Sequence, residues 1–183
     1  MAGPSKVDYT LKKDETVVSI GYTQLGIVPL PGHSPNQIGI VVNNILFCAD
    51  SVFSKETLEK HRIPFFTDID KTRETLAFLR DSSYDFYIPS HAEPRKSLVQ
   101  LVDANLEVID NIETRVLDEI ATRKTTGQVL KCVSSACGIE VRDEPQYYLL
   151  NTMMLGYLGS LYGRGKAKIA IEGNMLFWER AKN

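Results

Sequence analysis

Three strand-like runs in the first half of this sequence each stop on a side chain with metal-ligand chemistry. A β-rich run at 24–30 leads into Pro31-Gly32-His33. The run Ile45-Leu46-Phe47-Cys48-Ala49 stops on Asp50, and a run at 84–88 leads into Pro89-Ser90-His91. Layered α/β folds gather functional groups at strand ends. Pro31-Gly32 permits a sharp turn that leaves the His33 imidazole at its strand's end, and Pro35 stiffens the loop behind it. Imidazole is a natural zinc ligand, and a rigid loop lowers the ordering cost of coordination. Asp50 ends an apolar strand, where an unpaired charge is costly. A metal, a helix end or a Lys/Arg partner would each answer that cost. Taken one at a time, a solvated loop histidine and an ordinary paired aspartate are the simpler readings.

With 183 residues the chain suits one domain, or one small domain with an appendage. A hydrophobic share of 43% and a charged share of 24% are those of an ordinary globular protein. The net charge of −2 implies no general affinity for nucleic acid or anionic membrane. No apolar run has the length of a membrane span, and residues 1–6 read as a structureless lead-in without the apolar core of a secretory signal. Cys48, Cys132 and Cys137 are odd in number and show no framework spacing, which points to reduced thiols and a cytoplasmic protein. Cys132 and Cys137 do not form a Cys-x-x-Cys pair and read as small packed residues.

Two regions emerge, 1–96 and 97–183. The first alternates strands and turns, with runs at 16–20, 24–30, 38–42 and 45–48. Asn43-Asn44 joins the last two and tolerates positive φ, so a tight hairpin is expected there. Asp70 is expected to cap a helix running to Leu79. Most of the strands are apolar on both faces, as in sheets covered on both sides. Few helices are on hand to cover them, so an apolar face is expected to stand open unless another segment or chain lies on it.

The second region is helical. Ser97 is expected to cap a helix to about residue 123, with Leu98, Leu101, Val102, Asn105, Ile109, Ile112, Val116 and Ile120 on one stripe. A short helix at 126–137 ends at Gly138, and Pro145 opens a third through Leu161. Strands at 166–171 and 175–179 flank Gly173-Asn174 in a hairpin. Three helices and a hairpin resemble a winged helix. The third helix has no Lys or Arg between 146 and 161, which argues against base reading. The hairpin region is basic, with Arg164, Lys166, Lys168, Arg180 and Lys182 against Glu172 and Glu179, a set that could touch phosphates. A solvated hairpin is the simpler reading.

Taken together over about residues 15–95, the Pro-Gly-His, Ala-Asp and Pro-Ser-His segments resemble, in order and rough spacing, the C-terminal half of a metallo-β-lactamase-fold hydrolase. Asn36-Gln37 and Ala49 depart from the family's commoner Gly-Ser or Gly-Gln and Gly, and a Cβ at Ala49 is expected to crowd the turn. The resemblance implies an α/β (α+β) fold: half of an αββα sandwich over 1–96, then a helical winged-helix-like region over 97–183. It implies zinc, with His33 on one ion, His91 on a second, and Asp50 bridging both and orienting the attacking hydroxide. Substrates would be esters, thioesters, amides or phosphodiesters.

The family's His-x-His-x-Asp-His cluster does not occur in this sequence. The expectation is therefore part of a zinc hydrolase that binds zinc weakly and hydrolyses little by itself. Its partner would be the segment carrying that cluster or another chain, with a homodimer as one form, and its substrate a small molecule. The alternatives are a non-catalytic, self-associating protein that reuses half the fold, and nucleic-acid binding through the hairpin, which the acidic balance disfavours. His61 matches no family ligand and reads as a solvated residue beside the site. Phe53, Phe65 and Phe66 read as packing rather than pocket.

Overall fold

The computed structural model describes residues 6–182. The lead-in expected over 1–6 lies, but for Lys6, outside them. Five strands form one sheet in the order β1-β2-β3-β4-β5: Val17–Ile20, Thr23–Pro29, Ile38–Val42, Ile45–Phe53 and Phe86–His91. The first four form an antiparallel meander, and β5 runs parallel to β4. Asn43 and Asn44 have φ of 47° and 61°, the left-handed pair that a two-residue hairpin requires.

Between β4 and β5 lie α1 (Lys55–His61) and α2 (Ile69–Asp81). Helix α1 was not expected, because a helix that buries only Leu58 has no apolar stripe to read. Its start is nonetheless capped, the Ser54 hydroxyl accepting from the Thr57 amide. The cap of α2 is Asp68, not Asp70: Asp68 accepts from the Lys71 amide at 2.9 Å. Asp70 sits inside the first turn, where a carboxylate suits the helix dipole, and accepts from the Ser160 hydroxyl at 2.7 Å.

The C-terminal region holds α3 (Val99–Glu119), α4 (Thr126–Ala136), α5 (Glu144–Gly163) and the hairpin β6 (Ala167–Glu172) and β7 (Met175–Arg180). Leu98 is the N-cap of α3 and has no capping side chain; Ser97, one residue earlier, accepts from the Val99 amide at 3.4 Å. All eight residues of the expected α3 stripe are buried. The α4 start is a full capping box between Thr125 and Gln128. Lys124 pairs with Trp178 of β7 through two backbone bonds, tying the α3–α4 turn to the hairpin.

Helices α2 and α3 pack on one face of the sheet, where Leu30, Leu46, Cys48 and Tyr87 are buried. That core is continuous through α3, α4 and α5 to Trp178. The opposite face carries a row set by strand register: Ile27, Ile40, Phe47 and Ile88. Among the described residues no helix covers it; Phe47 is 42% exposed and neighbouring Phe86 is 41% exposed. The open apolar face expected from the strand composition is present.

Candidate functional site

The turn after β2, the middle of β4 and the end of β5 bring the three expected side chains together; β4 runs on to Phe53 instead of stopping at Asp50. His33 follows the Pro31-Gly32 turn, whose Gly32 has φ of 137° and leaves no room for a Cβ, which would stand 2.4 Å from Thr72 Oγ1. Thr75 donates to the Pro31 carbonyl at 2.7 Å, and the Thr67 amide to that of Gly32 at 2.8 Å. Thr67 Oγ1 donates to the His33 carbonyl at 3.2 Å. The turn is therefore bolted to the start of α2 and to the loop before it.

Asp50 sits within β4, past a register shift between Phe47 and Ala49. Ala49 has φ of 49°, a left-handed conformation that glycine adopts without strain and alanine does not. The family's commoner Gly at this position thus has a backbone reason, and the shift aims Asp50 out of the ladder. His91 ends β5, and its carbonyl accepts from the Ser54 amide at 3.2 Å.

The three side chains converge. His33 Nε2 lies 3.5 Å from Asp50 Oδ2, and His91 Nε2 lies 3.3 Å from Asp50 Oδ1. Asp50 thus offers a different oxygen to each imidazole. His33 Nδ1 lies 2.8 Å from the Phe65 carbonyl, so the ring donates there. A neutral ring in that tautomer turns its Nε2 lone pair toward a carboxylate oxygen, an arrangement that a cation between them relieves.

The donors form two pairs with the spacing that zinc ligands show, but neither pair completes a zinc site. Donors about 2.1 Å from one tetrahedral zinc stand about 3.4 Å apart, close to the 3.5 and 3.3 Å seen here. Each half-site has two donors, His33 with Asp50 and Asp50 with His91, where a closed zinc site has four. Among the described residues no group of three or more His, Cys, Asp or Glu side chains is placed to hold one ion.

A cleft of about 330 Å³ opens beside His33 and His91, between the sheet's end and α5. His61 lines it, as do Phe53 and Phe65, so these two aromatics wall a pocket as well as pack; Phe66 alone is wholly core. The Phe53 ring lies 6.1 Å from that of His33 and 5.7 Å from that of His91, between the two.

Several positioning residues escaped sequence reading. Gln37 donates to the Leu30 carbonyl at 3.2 Å and to Ser51 Oγ at 2.8 Å, tying the His33 loop to the strand that carries Asp50. Asn105 on α3 is fully buried; it accepts from the Phe53 amide at 3.2 Å and donates to the Phe53 carbonyl at 2.8 Å. A lone Asn in an apolar stripe was the available signal, since buried amides require partners.

The Metallo-beta-lactamase superfamily model matches residues 3–91, the stretch that contains His33, Asp50 and His91. That match covers just under half of the chain. A metallo-beta-lactamase family protein from Thermus thermophilus superposes with a TM-score of 0.71 at 13% identity, over 97% of this chain and 56% of that one. A beta-lactamase domain protein from Burkholderia ambifaria superposes at 0.73 and 17%, over 98% of this chain and 54% of that one. At such identities the likeness establishes the fold. The chain spans a little over half the length of each of these proteins. No curated protein matches it. Among the described residues, no helix is long and apolar enough to cross a membrane.

Proposed function

We propose that this metallo-beta-lactamase segment is the portion of a zinc-dependent hydrolase that supplies His33, Asp50 and His91 as ligands, together with one wall of the substrate cleft. The observation that carries the reading is Asp50, whose two oxygens each face a different imidazole at the mouth of that cleft. Bound zinc supplies Lewis-acid polarisation of a carbonyl and a lowered pKa for water.

The chain's own residues do the positioning. The Phe65 carbonyl fixes the His33 tautomer and leaves Nε2 to face the metal position. Asp50 would hold zinc together with either histidine and would orient a nucleophile there. The Gln37–Ser51 bond holds the His33 loop in register with β4. Phe53 and Phe65 exclude water from one side of the histidines. With two donors per position, zinc binding by this chain is weak and hydrolysis slow until further ligands are supplied.

Imidazole ¹⁵N spectra during zinc addition test the reading. Zinc should shift the His33 and His91 resonances and leave His61 in place. Shifts of His61 alone, or of none, would contradict it.

A second reading has its own support. The open face bearing Phe47 and Phe86 suits a partner surface, which favours a self-associating role that reuses half the fold. Loss of association in Phe47→Lys with zinc shifts absent would decide for it. Nucleic-acid binding gains little support. Arg164 and Lys166 pair with Glu113, and Arg180 lies 3.8 Å from Asp118, so much of the hairpin's positive charge is compensated. Three helices, the Lys124–Trp178 bridge and the hairpin support the winged-helix-like description of 97–183, which we propose as a wall of the cleft.

A further inference from the structure

We infer that the cleft beside His33 and His91 binds an uncharged apolar group, so that the bond to be cleaved is an ester, thioester or amide carrying an aliphatic or aromatic moiety. The inference rests on the hydrolase reading for its reacting centre and on the cleft's own chemistry for its specificity.

The cleft's volume, about 330 Å³, is that of a small-molecule site. Its walls come from opposite ends of the chain. Ile63 and Phe65 stand on the loop before α2, and Leu149, Leu150 and Met153 on α5. The polar groups reaching it are few: the imidazoles at one end, with Thr57 and Gln146. That pattern, apolar walls with a small polar cluster to one side, orients a ligand with an apolar tail and one polar reacting group.

Among the described residues no Lys or Arg lines the cleft. A phosphodiester backbone is bound chiefly by cationic side chains, and any phosphate lying along these walls, away from the metal position, would be desolvated without compensation. The nearest sequence candidate, Arg62, is committed elsewhere: its guanidinium donates to the carbonyls of Cys137 and Gly138 at 2.8 and 2.7 Å. Those bonds lock the end of α1 to the end of α4.

The walls are set by close backbone contact. A Cβ on Gly156 of α5 would stand 2.9 Å from the Thr67 carbonyl, so α5 lies directly on the loop that bears Phe65. Leu149 is 51% exposed and lines this cleft. A ligand there removes apolar surface from water at both walls at once.

The test is a metal-free titration of the whole chain with N-methyloctanamide, a neutral amide, followed by backbone and imidazole NMR. Binding should shift the His33 and His91 imidazole signals. Leu149→Arg and the change of another lining residue, the half-buried Ile139→Arg, should each weaken it about tenfold or more. Phe47→Arg, on the open sheet face, should leave it unchanged. His33→Ala/His91→Ala should weaken it less than Leu149→Arg does, although that variant loses zinc, which separates this inference from the zinc reading. Binding abolished by Phe47→Arg but indifferent to Leu149→Arg would place the ligand on the sheet and overturn the inference. So would a single-stranded oligonucleotide that shifts the same two imidazoles more tightly than the amide does.

Discussion

His33 donates through Nδ1 to the carbonyl oxygen of Phe65, at 2.8 Å. Phe65 belongs to the loop on which α5 rests through Gly156, so the helical region bears on the ligand geometry through one chain of contacts. Gly156→Val should push the helix off the Thr67 carbonyl. Overpacking of this kind costs about 1–3 kcal/mol. Urea unfolding should show that loss, and zinc affinity should fall with it, although no ligand has been touched.

Asn105 replaces a missing strand neighbour at the end of β4. Its amide satisfies both the N–H and the C=O of Phe53. Asn105→Leu strands both groups in the core. An unsatisfied buried polar group costs about 1–3 kcal/mol, so the variant should lose more than a surface change would. Chemical denaturation checks it, with hydrogen exchange at the Phe53 amide reporting the local opening.

Ala49 holds a left-handed φ of 49°. For a residue with a Cβ that conformation costs about 1–2 kcal/mol, part of which glycine returns as extra freedom in the unfolded chain. Ala49→Gly should therefore leave stability equal or raised by up to about 1 kcal/mol, with Asp50 undisturbed. A clear destabilisation in thermal unfolding would contradict the backbone account.

Glu113 is nearly buried and receives Arg73, Arg164 and Lys166 from three other elements. Burial by itself would raise its carboxyl, but the hydrogen bond and charge of Arg164, with Lys166 and Arg73, win and hold it below the ordinary 4.5. A carboxylate lowered in the folded state contributes stability that is complete above its unfolded value and fades as pH falls through the folded one. Unfolding free energy should therefore drop in acid below about that value, and the drop should be smaller in Glu113→Gln. Near neutral pH the same variant should cost about 1 kcal/mol, because the cations around it are partly exposed and Arg73 and Arg164 keep Asp110 and Asp70.

Much of this was legible beforehand because its signals are local. Asn43-Asn44, the α3 stripe and the Gly173-Asn174 hairpin are read from neighbours in sequence. His33, Asp50 and His91 were singled out for the same reason, each following its own apolar run, although β4 continues past Asp50 to Phe53. What escaped depends on distant partners. Helix α1 has a single buried residue and so no periodicity. Asp68 and Asp70 are both able to cap, and only the tertiary bond from Ser160 assigns Asp70 elsewhere. Phe53 and Phe65 were expected to pack alone; that they also wall a cleft depends on α5, far later in the chain.

The central claim is that His33, Asp50 and His91 hold zinc, and zinc stoichiometry and affinity measure it most directly. The metal-free chain would be titrated beside Asp50→Ala and His33→Ala/His91→Ala. The account predicts weak, saturable binding that both variants abolish, Asp50→Ala as completely as the double change, because one carboxylate serves both positions. Binding by the unaltered chain no greater than by the variants would contradict it.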